Sequence, residues 1–405
     1  MKPIVRAGRM KPVHSDIRGP LFVEAMKRQK QGIDILKLNT GNPATFGFGL
    51  PDSIKNALME HMQDGVGYCD FKGMPQARQA ICDYETSKDI KGITSDDVFI
   101  GNGVSEVVSF ALTPLLNDGD EVLVPSPSYS LWGNSVYLED GKPVFYTCDE
   151  QANWYPDIQD IRSKITDKTK AIVIINPNNP TGVLYPKELL LEIIQIARES
   201  GLLIFADEIY DRLVMDGKQH ISLASLTEDV PVITLNGLSK SHCLCGYRCG
   251  WMVISGPREL TEDYRQGIIQ LTSLRLCANT MAQIVIPAAL DDMETPASMV
   301  RPGGRIYEQR EATVRELEKI DGLSFVKNDA AFYVFPKLDV KKFNITNDKQ
   351  FAHDLLDATN ILLVPGSGFD WKDPDHFRIV MLPQADILSD AIRRMGTFLD
   401  GYKQK

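Results

Sequence analysis

Between about Asp97 and Ile254 the chain alternates short apolar runs with longer amphipathic stretches. Val98–Ile100, Glu121–Val124, Ala171–Ile175, Leu202–Ala206 and Val232–Leu235 have the length and content of strands buried on both faces. Between them, Ser105–Leu116 and Pro186–Ser200 carry apolar residues at helical spacing. This order predicts an α/β fold whose mostly parallel sheet is covered by helices on both faces and binds ligands at the carboxyl ends of its strands. Past residue 290 the pattern changes. A charged helix around Arg305–Ile320 leads to an alternating stretch, Leu323–Leu338, and then to a helix, two short strands and a final helix, which read as a smaller α+β domain. Gly19-Pro20 and Gly41-Asn42-Pro43 punctuate the first 48 residues. The division expected is therefore an N-terminal arm (1–48) contributing to the small domain, a large domain (49–290) and a small C-terminal domain (291–405).

Composition agrees with two domains, because 405 residues exceed the size at which one hydrophobic core usually stops growing. A net charge of -10 has the wrong sign for a phosphate backbone or an anionic membrane surface. No apolar run approaches the roughly 20 residues needed to cross a bilayer. Met1–Pro12 holds four basic residues but lacks the apolar stretch of a secretory signal. Seven cysteines at irregular spacing make no disulfide framework. A soluble cytoplasmic protein with free thiols, with neither a nucleic-acid nor a membrane partner, is expected.

The most specific stretch is Asn176-Pro-Asn-Asn-Pro-Thr-Gly182, directly after a strand. Alone it reads as a turn. In order along the chain it is followed by Asp207-Glu-Ile-Tyr210 at the end of the next strand, by Ser239-Lys240, and by Gly246-Tyr-Arg-Cys-Gly-Trp251. Upstream lie Tyr68, Gly73, Arg78, Gly101-Asn-Gly-Val-Ser-Glu106 and Pro125-Ser-Pro-Ser-Tyr129; downstream lies Arg378. This ordered set resembles the class I aminotransferases of the fold type I pyridoxal-phosphate family, over nearly the whole chain. Leu38-Asn-Thr-Gly-Asn-Pro43 and Leu276-Cys-Ala-Asn-Thr-Met-Ala-Gln283 look most like the glutamate-pyruvate (alanine) aminotransferases.

Several roles have a physical reason beside the resemblance. A pyridoxal enzyme needs a lysine amine to join the cofactor aldehyde, and Lys240 follows a buried strand where a surface lysine is out of place. Freed by substrate, the same amine is a natural base. The electron sink needs a protonated pyridine nitrogen and hence a carboxylate partner, which Asp207 supplies. Gly103, Val104 and Ser105 open a helix and offer free N–H groups to the phosphate. Arg378 offers the planar fork that grips an α-carboxylate. The resemblance alone implies the rest: Tyr210 and Asn179 on the phenolic oxygen, Ser239 and Arg248 on the phosphate, Tyr129 stacked on the ring, and Gly41 against the substrate. It also implies Tyr68 on the phosphate from the partner subunit of a homodimer with shared active sites. Arg18, in a segment poised over the site, is a candidate for a distal carboxylate.

The implied reaction is reversible, ping-pong transfer of an amino group from alanine to 2-oxoglutarate. Aspartate or aromatic aminotransferases and β-elimination lyases on the same scaffold are the alternatives. Other classes fit less well. Gly101-x-Gly103 lacks the third glycine of a dinucleotide fingerprint, because Glu106 stands there. The arm is too short for the DNA-binding domain of a pyridoxal-sensing regulator. The acids Asp207, Glu208 and Asp211 have no histidine nearby in sequence, and Cys243, Cys245 and Cys249 match no standard zinc spacing, so no metal is expected. Gly237 departs from the family, where many relatives carry serine.

Overall fold

The computed structural model describes residues 2–405. An eight-stranded sheet forms the centre of the larger unit. Its strands are β1 (Val98–Asn102), β2 (Glu121–Ser126), β3 (Lys142–Asp149), β4 (Tyr155–Pro156), β5 (Thr169–Ile175), β6 (Leu203–Asp207), β7 (Val232–Gly237) and β8 (Cys249–Ser255). They lie in the order β1-β8-β7-β6-β5-β2-β3-β4. β7, β6, β5, β2 and β3 are mutually parallel, while β8 runs antiparallel to both its neighbours and β4 antiparallel to β3.

Both faces are apolar, which explains why the strands read as continuous hydrophobic runs. Leu123, Ile172, Ile174 and Ile204 pack against Leu190, Ile193 and Ile194 of the helix Lys187–Ser200. Their alternates Val122, Val124, Val173 and Phe205 face the opposite layer, with Val108 and Leu112 of the helix Val104–Leu112 and Trp132 and Val136 of the helix Leu131–Leu138.

Three strands escape the hydrophobic pattern, among them the two-residue edge strand β4. β3 begins Lys-Pro and has alternating burial, unlike its neighbours, because its far side carries only the short edge strand β4. β8 begins inside the Gly246–Trp251 motif, and Gly250 within it weakens its strand character.

The second unit has its own core, in which Leu317, Val334, Leu355, Phe377, Ile379, Leu388 and Ile392 are buried together. Three antiparallel strands, β9 (Tyr333–Val334), β10 (Val364–Pro365) and β11 (Phe377–Val380), are ordered β9-β11-β10. The helices Arg305–Leu317, Asp348–Thr359 and Ala385–Asp400 surround them. A further pair, Ile361–Leu362, binds Leu36–Lys37 of the arm in parallel, and Leu38 enters this second core. The arm also contains a helix, Pro20–Lys30. Gly19-Pro20, read as a break, is instead its start, since proline is well suited to the first helical position, where its missing N–H costs nothing. No single helix among the described residues is long and apolar enough to cross a membrane.

Candidate active site

The parallel strands end on one side of the sheet, and their following loops line a cavity of about 870 Å³. Asn179 arrives after β5, Asp207 and Tyr210 at the end of β6, Ser239 and Lys240 after β7, and Val104 and Ser105 after β1. Tyr129 comes from the loop after β2; Arg378 enters from β11, and Arg18 and Gly41 from the arm. Gly103 lies just behind this wall. Tyr68 does not line the cavity and is 83% exposed.

Lys240 sits in the short helix Leu238–Ser241, and its Nζ donates to the carbonyl of Gly41 at 3.0 Å. No carboxylate lies within ion-pairing distance of Nζ among the described residues. Asp207 is 5% exposed and receives a 3.0 Å hydrogen bond from Trp132 Nε1 on Oδ2. Burial pushes its carboxyl up to about 6, against the pull of the Trp132 and Ile209 hydrogen bonds and the charge of Lys240.

Arg378 is 1% exposed and has no acidic partner. Its guanidinium lies between the rings of Tyr333 and Phe369, each centroid 4.6 Å away. Nη1 donates to Asn179 Oδ1 at 2.9 Å, Nη2 donates to the Asn39 carbonyl, and Nε is without a partner. Burial lowers its affinity for the proton. Tyr210 pairs with Tyr333, hydroxyl to hydroxyl, at 2.9 Å. At the far end Gly103 adopts φ +84° at the start of the helix Val104–Leu112, where a Cβ would collide with the guanidinium of Arg248. Gly41 is constrained likewise, because a Cβ there would strike the Tyr333 hydroxyl.

Beneath these loops lies a charged hub. Lys88 Nζ is 2.5 Å from Glu85, 2.9 Å from Glu208 and 3.4 Å from Asp211. Asn236 Nδ2 donates to Asp211 at 2.7 Å and Trp251 Nε1 to Glu85 at 3.3 Å, so the hub joins the loop after β6 to strands β7 and β8. Glu208 and Asp211 do meet a histidine in space, His220, which sequence spacing hid. Both acids of that group are also held by the Lys88 ammonium.

Trp132, Tyr333 and Lys88 went unnoticed in the sequence reading. Trp132, three residues past Tyr129, gave a signal, since a buried indole N–H needs an acceptor. Tyr333 and Lys88 gave none. Gly237, at the end of β7, is buried against the β8 backbone, which leaves no room there for the serine of many relatives.

The donor set suits pyridoxal phosphate. A buried carboxylate short of a cation, an amine free of any acid, an orphaned guanidinium and the first-turn N–H groups of a helix match a ring nitrogen, an aldehyde, a carboxylate and a phosphate respectively. The sequence profile of the family described as aminotransferase class I and II matches residues 33–392. The glutamate-pyruvate aminotransferase AlaA of Haemophilus influenzae is 50% identical over 404 residues, covering 100% of each chain. A solved aminotransferase from Escherichia coli superposes with a TM-score of 0.98 at 47% identity and covers 100% of both chains. An alanine aminotransferase from Pyrococcus furiosus does so at 0.93 and 40%, covering 98% of this chain and 100% of its own. This chain belongs to the class I and II aminotransferases. It is a pyridoxal-phosphate-dependent enzyme with the fold type I architecture, acting on amino acids and 2-oxo acids.

Proposed function

We propose that the enzyme transfers the amino group of alanine to 2-oxoglutarate, giving pyruvate and glutamate, reversibly and by ping-pong turnover. Full-length similarity to relatives named for that reaction supports the substrate pair. The observation that carries the chemistry is the opposition of three groups in one cavity: the Lys240 amine held only by the Gly41 carbonyl among the described residues, the buried Asp207 carboxylate and the Arg378 guanidinium without an anion.

Pyridoxal phosphate, when bound, supplies an electron sink for the pair of electrons left at the substrate Cα. Lys240 Nζ would anchor the cofactor aldehyde and, once released, would take the proton from the substrate Cα and deliver it to the cofactor's aldehyde carbon. Asp207 keeps a proton on the ring nitrogen, and Trp132 fixes the direction of its carboxylate. Tyr210 and Asn179 hydrogen-bond the phenolic oxygen, and Tyr129 stacks on the ring. Gly103, Val104, Ser105, Ser239 and Arg248 hold the phosphate. Arg378, steered by Asn179, binds the α-carboxylate, with the Gly41 backbone alongside. Arg18, exposed at the mouth, meets the distal carboxylate of glutamate and 2-oxoglutarate.

The working unit is a homodimer in which Tyr68 completes the phosphate site of the partner. Exposed Met59, Met62, Val66, Tyr68, Leu274 and Leu276 support this. Their segments are tied together by Thr280 Oγ1 to Gly65 O at 2.7 Å and Arg275 Nη2 to Phe71 O at 3.1 Å, so they lie side by side. The boundaries 1–48, 49–290 and 291–405 describe the arm and two domains, with the arm pinned to the small one. Seven free cysteines accord with a cytoplasmic location.

The test is a spectral titration of the holoenzyme with alanine and glutamate, followed by a panel of 2-oxo acids. Both amino acids should convert the visible band of the bound cofactor, and pyruvate and 2-oxoglutarate should restore it. Conversion by aspartate or aromatic amino acids in preference to alanine would overturn the substrate assignment.

A further inference from the structure

Just before the strand bearing Arg378 lies a cluster that no sequence motif announces. His376 is fully buried, with Asp375 Oδ1 2.7 Å from Nδ1 and Glu150 Oε1 3.4 Å from Nε2. The second contact is at ion-pair range without hydrogen-bond alignment. Lys337 Nζ joins both acids, 2.9 Å from Glu150 and 3.5 Å from Asp375, and Trp371 Nε1 donates to Asp375 at 3.0 Å. Burial opposes the imidazolium, yet the two carboxylates outweigh it and hold His376 above its ordinary value.

The cluster spans the seam between the two units. Glu150 and Trp154 come from the turn after β3 at the sheet edge; His376, Asp375, Lys337 and Phe335 come from around β9 and β11. Asn153 and Trp154 both take left-handed backbone, φ +58° and +61°. A bulky residue holds that conformation only where its surroundings over-determine it. Here Trp154 is wedged edge-on against His376, Trp371 and Phe335 at 5.1, 5.1 and 5.6 Å.

A continuous packing path leads from this knot to the site. The imidazole stacks on Phe335 at 4.9 Å, Phe335 meets Phe369 edge-on at 5.9 Å, and the Phe369 face lies 4.6 Å from the Arg378 guanidinium. The backbone is tied as well, since the His376 carbonyl accepts from Gly366 N at 2.7 Å.

We propose that His376 is a positioning residue: bridging Glu150 of the sheet edge and Asp375 of the second unit, it holds Arg378 in the orientation that grips a carboxylate. This rests on the reading of Arg378 given above. A two-point hydrogen-bonding fork is sensitive to small rotations, so slack in this knot weakens binding without touching the reacting atoms.

The test measures binding of maleate, a non-reacting dicarboxylate, to the holoenzyme by calorimetry, in wild type, Glu150→Gln, His376→Asn and Arg378→Lys. At neutral pH, Glu150→Gln and His376→Asn should each weaken maleate about three- to tenfold with kcat within about twofold of wild type. Wild-type affinity should fall as pH rises past the elevated His376 titration, and this component should be missing in His376→Asn. Glu150→Gln is nearly isosteric and carries the test if His376→Asn does not fold. Maleate affinity within about twofold of wild type in whichever of these variants fold, at any thermal stability, overturns the positioning role, provided Arg378→Lys does weaken it. If Arg378→Lys is also without effect, the carboxylate role of Arg378 fails instead, and the positioning role with it.

Discussion

Arg378 Nη1 donates to Asn179 Oδ1 across 2.9 Å, joining the strand β11 of the second unit to the loop after β5 of the large sheet. Asn179 thereby spends its acceptor on the guanidinium and leaves its amide free to donate toward the cavity. Arg378→Lys loses the fork, and charge-assisted bonds of about 1.5 to 3 kcal/mol are at stake. KM for alanine, glutamate, pyruvate and 2-oxoglutarate should all rise, by about 10- to 150-fold. Steady-state kinetics on both half-reactions will read this, and an effect confined to one substrate contradicts the role.

Lys240→Ala should reduce kcat by at least about 1000-fold, because anchoring and proton transfer share one amine. Among the described residues its only hydrogen bond goes to the Gly41 carbonyl, so the melting temperature should change little. Borohydride reduction of the wild-type holoenzyme followed by peptide mass spectrometry should locate the label on Lys240.

Asp207 predicts opposite pH trends for the fold and for cofactor binding. In the unfolded chain this carboxyl ionises near its ordinary value, about 4. In the folded, cofactor-free protein it keeps its proton up to about 6. The folded state thus binds the extra proton, and this contribution to stability is full in acid and lost as pH rises through about 6. Cofactor binding needs the ionised form, so affinity should weaken as pH falls below about 6. Fluorescence titration of the apoprotein will show it, and Asp207→Asn should flatten the profile.

Lys88→Met should be among the most destabilising single changes outside the cavity. It strands three buried carboxylates around a vacant centre, a loss of about 3 to 5 kcal/mol by analogy with broken buried ion pairs. Denaturant unfolding measures it directly. Lys88→Arg should retain more of the stability.

Tyr68 can be tested in mixed dimers. When a wild-type subunit pairs with a Tyr68→Phe, Lys240→Ala subunit, the only competent lysine faces a phenylalanine if Tyr68 acts across the interface. Cofactor affinity at that site should then drop about tenfold, as expected for one lost hydrogen bond to a charged group. Unaltered affinity in the hybrid would assign Tyr68 to its own subunit or to neither.

Most parts of this site legible in the sequence share a physical property: apart from Asp207 and Arg378, which lie on strands, they are turns or helix starts whose residue types are dictated locally. Asn176–Gly182, Gly103 and the Ser239-Lys240 step follow apolar strands, and a strand's end is where an α/β sheet presents its ligands. What stayed hidden depends on pairs distant in sequence. His220 reaches Glu208, Trp132 reaches Asp207 and His376 reaches Glu150 only after the sheet has assembled. β3, β4 and β8 stay hidden for a different reason, since a Lys-Pro start, a length of two residues and Gly250 blur the pattern that marks a strand.

The parallel pairing of Leu36–Lys37 with Ile361–Leu362 also sets a timetable. During synthesis the arm waits without its partner strand until almost all of the polypeptide has emerged, and Gly41 can lean over Lys240 only once that late segment arrives. The wall over the Lys240 amine is therefore assembled from segments far apart in the sequence.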